Sequence, residues 1–112
     1  MMKNKIKDAI IIIPARGGSK RIRDKNLKIL SGKPLIEHTI FHALNSKFSS
    51  EIYVSTDSRN IKKVCNKYSI HVIKRPKKIS DDLASSEDAL LHTLDIFKSK
   101  NKYDPEYVIF LQ

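Results

Sequence analysis

The chain has 112 residues, a single cysteine, no tryptophan and 22 Lys plus Arg against 12 Asp plus Glu, for a net charge of +10. That length suits one small domain with a limited core, the lone Cys65 excludes an intrachain disulfide and fits a reducing, cytoplasmic compartment, and no apolar run reaches the 18 residues of a membrane span. The charge favours a polyanionic partner, and it is concentrated at the front, where residues 1–30 hold nine cations and two acids.

In chain order, Asp8–Ile13 carries four consecutive isoleucines, the pattern of a strand buried on both faces of a parallel sheet. The basic start before it and the short apolar run Ala9–Ile13 are too brief for a signal peptide. The strand stops at Pro14, and Gly17-Gly18 opens a loop holding Arg16, Lys20, Arg21, Arg23 and Lys25 within ten residues. Glycines let a backbone approach a ligand and aim N–H groups at it, and cations beyond such a turn suit a triphosphate. The spacing matches neither Gly-x-x-x-x-Gly-Lys-Ser/Thr nor Gly-x-Gly-x-x-Gly. A surface turn with solvated lysines is the plain alternative.

Pro34 is placed at the first turn of a helix running to about Ser46, with Leu35, Ile36, Thr39, Ile40, Ala43 and Leu44 at helical spacing. Ile52–Ser55 reads as the second strand, and Asp57 or Ser58 caps a helix to about Tyr68 with Ile61, Val64 and Cys65 on one face. Cys65 reads as a small buried apolar group. Ile70–Lys74 is a short third strand, and Lys77–Ala84 is a loop. Ser85-Ser86-Glu87-Asp88 starts a helix to about Lys100, with Leu90, Leu91, Leu94 and Phe97 inward. Tyr107–Leu111 is the fourth strand.

This alternation predicts an α/β fold, Rossmann-like, with a mostly parallel sheet and helices on both faces. A chain ending inside an apolar strand is expected to be the first part of a longer α/β unit, truncated after about its fourth strand. Ligands of such sheets bind outside the carboxyl ends of the strands. That rule puts Arg16–Asn26, Asp57, Arg75 and Gln112 on one edge. The histidines His38, His42, His71 and His92 form no metal-ligand pattern; His38 and His42 are four apart but lack the Glu of His-Glu-x-x-His.

The order of residues is more specific than the composition. Ala15-Arg16-Gly17-Gly18-Ser19-Lys20 followed by Lys25-Asn26 resembles the nucleotide-binding signature of the acylneuraminate cytidylyltransferases, the CMP-sialic acid synthetases and their relatives. Gly32-Lys33-Pro34-Leu35-Ile36, Val54-Ser55-Thr56-Asp57, Arg75-Pro76 with Asp82-Leu83-Ala84-Ser85-Ser86, and Phe110-Leu111-Gln112 resemble four later family segments in the same order. The resemblance runs from about Asp8 to Gln112 and implies a nucleotide-diphospho-sugar transferase fold, of which residues 1–112 are the N-terminal, nucleotide-binding half. One departure is Ile22-Arg23, where many members have Ile-Pro. A proline there would stiffen the loop and remove a charge.

The chemistry that this resemblance implies is transfer of CMP from CTP to a nine-carbon 2-keto sugar acid (a sialic-type, nonulosonic acid), releasing pyrophosphate, for bacterial-type surface glycan synthesis. Charge moves onto the leaving phosphates, so positioning, cations and Mg²⁺ matter more than a covalent nucleophile. By matching positions, Arg16, Lys20 and Lys25 grip the triphosphate as the catalytic cations. Ser19 and the Gly17 and Gly18 amides cradle it, Ala15 belongs to the same nucleotide-binding set, and Asn26 hydrogen-bonds the nucleotide. Arg75, Ala84 and Ser86 approach the cytosine, with a solvated loop cation as the bland reading of Arg75 and a helix cap as that of Ser86. Gln112 matches a position on the sugar-acid side, a frayed chain end being its alternative. The family's metal carboxylates fall beyond this segment; Asp57 is the one carboxylate at a suitable strand end, and equally a helix cap.

The resemblance also implies a homodimer for the full-length form, no membrane and no specific nucleic acid, and this segment alone is expected to bind CTP with little turnover. The competing readings are a basic αβ module for nucleic acid or another polyanion, and a sugar nucleotidyltransferase using UTP or GTP. Against the first, the aromatics lack the interleaving of an RNA-binding sheet. Against the second stand Ala15–Lys20 and Ala84-Ser85-Ser86.

Overall fold

A computed structural model describes residues 9–17, 25–46, 51–76, 86–101, 105 and 107–111. Gly18, Ser19, Lys20, Ala84 and Gln112, the loop expected at Lys77–Ala84 and the side chain of Ser86 lie outside the described residues.

The central strand β1 spans Ala9–Pro14, two strands of a hairpin follow as β2 (Ile29–Leu30) and β3 (Lys33–Pro34), and helix α1 is Leu35–Leu44. Next come β4 (Ile52–Thr56), α2 (Arg59–Cys65), β5 (His71–Lys74), α3 (Ser86–Asn101) and β6 (Tyr107–Phe110). The main sheet has the order β5-β4-β1-β6, and all its pairs are parallel. Ile11 faces Ile52 on one side and Ile109 on the other, so β1 is buried by both neighbours as well as on both faces. Pro14, which has no N–H to give a ladder, is its last residue.

The four isoleucines divide by strand alternation. Ile11 and Ile13 pack with Ile36, Ile40, Ala43, Ile61 and Cys65 from α1 and α2. Ile10 and Ile12 turn to the other face and pack with Tyr53, Ile73 and Phe97 of α3. Each Ile is at most 1% exposed, and full burial of such a side chain contributes about 1.5–3 kcal/mol. Tyr53 fastens the α3 face, its ring edge-on to Phe97 at 5.9 Å and stacked on His71 at 4.5 Å. Helices therefore cover both faces, as expected.

Local details depart from the expectations at the hairpin, at Pro34 and at Leu91, and the open choice of the α2 cap is decided. The hairpin β2–β3 turns at Ser31 (φ 49°) and Gly32 (φ 85°), two left-handed residues of the kind a two-residue hairpin turn requires. The sequence pattern puts Gly32 beside a helix start with Pro34 in the first turn, but Pro34 is paired with Ile29 and acts as the residue before α1 with ψ 144°, so the helix begins at Leu35. Ser58, not Asp57, caps α2: its Oγ accepts from the Ile61 amide at 3.2 Å. Leu91 is 53% exposed rather than inward, because Ala89, Thr93 and Phe97 form the buried stripe of α3.

Candidate functional site

The loop after β1, the end of β4 and the end of β5 meet at the carboxyl edge of the sheet. The Ala15 amide donates to the Ser55 carbonyl at 2.8 Å, extending the β1–β4 ladder by one bond into the loop. Two residues on, the Gly17 amide donates to Asp57 Oδ1 at 2.9 Å. A Cβ on Gly17 would lie 2.7 Å from the Cβ of Ser58, closer than real side chains approach. Glycine is required here by the close approach of the loop to the Ser58 side chain, and the loop is fastened to the start of α2.

Lys25–Leu27 forms a 3₁₀ turn in which Lys25 is exposed. Asn26 Nδ2 donates to the Arg16 carbonyl at 3.2 Å, so the far end of the loop is tied to its beginning. The described parts of the loop are thus held at three points: Ser55, Asp57 and Asn26. The Arg16 and Lys25 side chains sit on this frame at the carboxyl end of β1. That edge is where the chain changes direction: α1 leads from β1 to β4 on one side, and α3 returns the chain to β6 on the other, the crevice where open α/β sheets bind ligands.

Arg75 is not a solvated loop cation. It is 5% exposed, with Nε donating to Ser55 Oγ at 3.2 Å and a terminal nitrogen to the Ser55 carbonyl at 3.3 Å. Its backbone amide donates to the Thr56 carbonyl at 2.9 Å. Burial pulls its pKa below the ordinary arginine value; Asp57 works against that shift and the like charge of Arg16 adds to it. Arg16, Asp57 and Arg75 therefore feel one another across the ends of three strands, two guanidinium groups about one carboxylate. Arginine stays protonated under all ordinary conditions, so the edge carries fixed positive charge.

Ser86 begins α3, with Glu87 and Asp88 in the first turn. Strand alternation sends Arg75 to the α3 face of the sheet, with Ile73, so Arg75 and the helix that Ser86 starts lie on the same side. Leu111, just past β6, has its amide bonded to the Ile12 carbonyl at 3.0 Å, bringing the end of β6 alongside the end of β1. Among the described residues no group of three or more His, Cys, Asp or Glu is placed to hold a metal ion. Sequence reasoning missed that Ser55 is the common brace of Ala15 and Arg75; its place in the Val54–Asp57 segment was the only signal.

A parallel sheet with a glycine-containing basic loop at the carboxyl end of its first strand is an α/β arrangement whose ligand crevice lies at that edge. The chain belongs to the cytidylyltransferase family, whose model matches residues 10–104. It is 46% identical over 97 residues to a pseudaminic acid cytidylyltransferase of Campylobacter jejuni subsp. jejuni, covering 85% of this chain and 42% of that protein. It is 47% identical over 85 residues to a CMP-N,N'-diacetyllegionaminic acid synthase of Legionella pneumophila, covering 76% and 35%. Among solved structures it resembles a CMP:2-keto-3-deoxy-manno-octonic acid synthetase complexed with CTP, with a TM-score of 0.70 and 28% identity over 91% of this chain and 39% of that one. The chain thus spans less than half the length of these relatives. Among the described residues, no helix is long and apolar enough to cross a membrane.

Proposed function

We propose that the chain supplies the nucleotide-binding half of an enzyme that transfers CMP from CTP to a nonulosonic acid and releases pyrophosphate. The relatives named above are a pseudaminic acid cytidylyltransferase and a CMP-N,N'-diacetyllegionaminic acid synthase, and the similar solved structure is a complex with CTP. The observation that carries the reading is the buried Arg75, braced on Ser55 and within electrostatic reach of Arg16 and Asp57.

In this reading Arg16, Lys20 and Lys25 grip the triphosphate, and Gly18 and Ser19 cradle it. The Gly17 amide itself is turned inward to Asp57, so its contribution is to let the loop lie flat on α2. Asn26 holds the loop closed and faces the nucleotide; Ala15 keeps the loop in register with β4. Arg75, Ala84 and Ser86 approach the cytosine, and Gln112 the sugar acid. Attack on the α-phosphorus moves negative charge onto the departing pyrophosphate, and cations fixed before the reaction stabilise it without reorganising.

A divalent metal, Mg²⁺ for a triphosphate, would be held by phosphate oxygens and one or two carboxylates. Asp57 fits as one of them, exposed and with one oxygen already fixed by the Gly17 amide. The metal would supply neutralisation of phosphate charge. The complete enzyme is read as a cytoplasmic homodimer.

The test is titration of the chain with CTP, UTP, GTP and ATP in Mg²⁺, followed by amide NMR. Preference for CTP with shifts at Gly17, Lys25, Asn26 and Arg75 is the expected result. Equal binding of all four that collapses with salt would replace this reading with nonspecific polyanion binding.

A further inference from the structure

A second basic hollow lies at the same edge of the sheet but on the opposite face from Arg75. It is a cleft of about 200 Å³ between the start of α2 and the end of β5. Strand alternation sets its strand residues on the other side of the sheet from Arg75: Ile73 packs with Phe97 on the α3 side, whereas Val72 and Lys74 turn to the α2 side. Arg59, Lys62 and Lys74 surround the cleft, and among the described residues the only acid lining it is Asp57, whose Oδ1 accepts the Gly17 amide.

Two hydroxyls complete the lining. Thr56 Oγ1 accepts from the Ser58 amide at 3.1 Å, and Ser58 Oγ accepts from the Ile61 amide at 3.2 Å. Each hydroxyl oxygen accepts one backbone N–H, which leaves its O–H as a donor. One guanidinium, two ammoniums and two O–H groups form a set dominated by donors. Such a set matches a group with several acceptor oxygens and net negative charge, which is a phosphate. Three like charges about one hollow repel one another, and an anion between them turns that repulsion into attraction.

We propose that this cleft is a second anion site, which takes the phosphate group of a small molecule such as free pyrophosphate or the polyphosphate tail of a nucleotide. Asp57 joins the cleft to the nucleotide edge, but none of the cleft's three cations belongs to the nucleotide loop.

The test is amide NMR titration of the full chain with inorganic pyrophosphate and, separately, with ATP. Saturable shifts at Thr56–Lys62 and Val72–Lys74 are expected. Lys62→Gln and Lys74→Gln each weaken binding at those amides by about five- to tenfold, the loss of one charge-assisted contact. Lys63→Gln, which removes a neighbouring exposed charge outside the cleft, weakens it less than about twofold. Tighter binding of pyrophosphate assigns the free anion as the source, and tighter binding of ATP a nucleotide. Shifts confined to Arg16, Gly17, Lys25 and Asn26, shifts that do not saturate, or an equal effect of Lys63→Gln would overturn the proposal.

Discussion

Gly17→Ala is the most informative single substitution in this chain. The added Cβ would lie 2.7 Å from Ser58 Cβ and 3.5 Å from Asp57 Oδ1. Ser58 Cβ is fixed to the backbone at the cap of α2, so no side-chain rotation relieves the contact, and either the loop or the helix start must move. Overpacking of this kind costs about 1–3 kcal/mol. Movement of the loop also strains the 2.9 Å bond from the Gly17 amide to a carboxylate, a class of bond that contributes about 1.5–3 kcal/mol. A net loss of about 2 kcal/mol is expected in urea denaturation, together with a drop in nucleotide affinity larger than the stability loss explains. The second arm is Ser58→Gly, which removes the clashing atom and costs only a few tenths of a kcal/mol as a cap. In the double variant the two changes compensate, with a coupling of about 1 kcal/mol or more. Additive effects, or a Gly17→Ala variant as stable as the parent, would refute the argument that close approach of loop and helix dictates glycine.

Arg75→Lys keeps the charge but loses the forked contact with both oxygens of Ser55, so about 1–3 kcal/mol of stability is expected to go in chemical denaturation; a loss below about 0.5 kcal/mol, less than a buried charged bond contributes, would mean that Arg75 does not brace β4. Cys65 is fully buried and its thiol is pushed up to about 11, chiefly by burial and further by Glu37, so a thiol reagent at pH 8 labels the native chain only at the rate of opening; fast labelling without denaturant would contradict this packing. Glu37 is held below the usual carboxylate pKa, first by the hydrogen bond from Tyr68 and then by Lys67, against the opposing effect of its own burial. Its folded pKa lies under the unfolded one, so its contribution is complete above about pH 4.3 and is lost as pH falls through the folded value. Glu37→Gln should therefore lower stability at pH 7 and flatten the acid limb of the pH–stability curve; an unchanged acid limb would sink the assignment.

Patterns local in sequence were legible. Four consecutive isoleucines specify the central strand, and the apolar spacing of Ile36, Ile40 and Ala43 specifies the buried face of α1. What escaped was decided by tertiary contact or by a short turn. Ser31-Gly32 between Leu30 and Lys33 is a hairpin turn, but strands of two residues give no period to read. Leu91 follows helical spacing as well as Leu90 and Leu94 do, and only the burial of the Ala89–Thr93–Phe97 stripe leaves it outside. Asp57 and Ser58 were equal candidates for the α2 cap. The choice fell to Ser58 because the Asp57 carboxylate is engaged by a glycine 40 positions earlier, a partner that no local rule supplies. Arg75 could be named from its motif, but its burial depends on Ser55 of the adjacent strand lying beneath it.

The strand order β5-β4-β1-β6 also sets a timetable for assembly. Ile11 meets Ile52 across the first crossover, whereas Ala9 meets Tyr107 only after a loop more than twice as long has closed. Each doubling of a closing loop adds about 0.6 kcal/mol of entropic cost. The pairings β1–β4 and β4–β5, with α1 and α2 across them, thus form the earlier nucleus, and α3 and β6 dock onto a surface already made. Because Ala15, Gly17, Asp57 and Arg75 all belong to the part before α3, the frame of the carboxyl edge takes shape before the last strand arrives. Amide exchange would then show the α3–β6 unit opening first, with the loop after β1 still anchored to its neighbours.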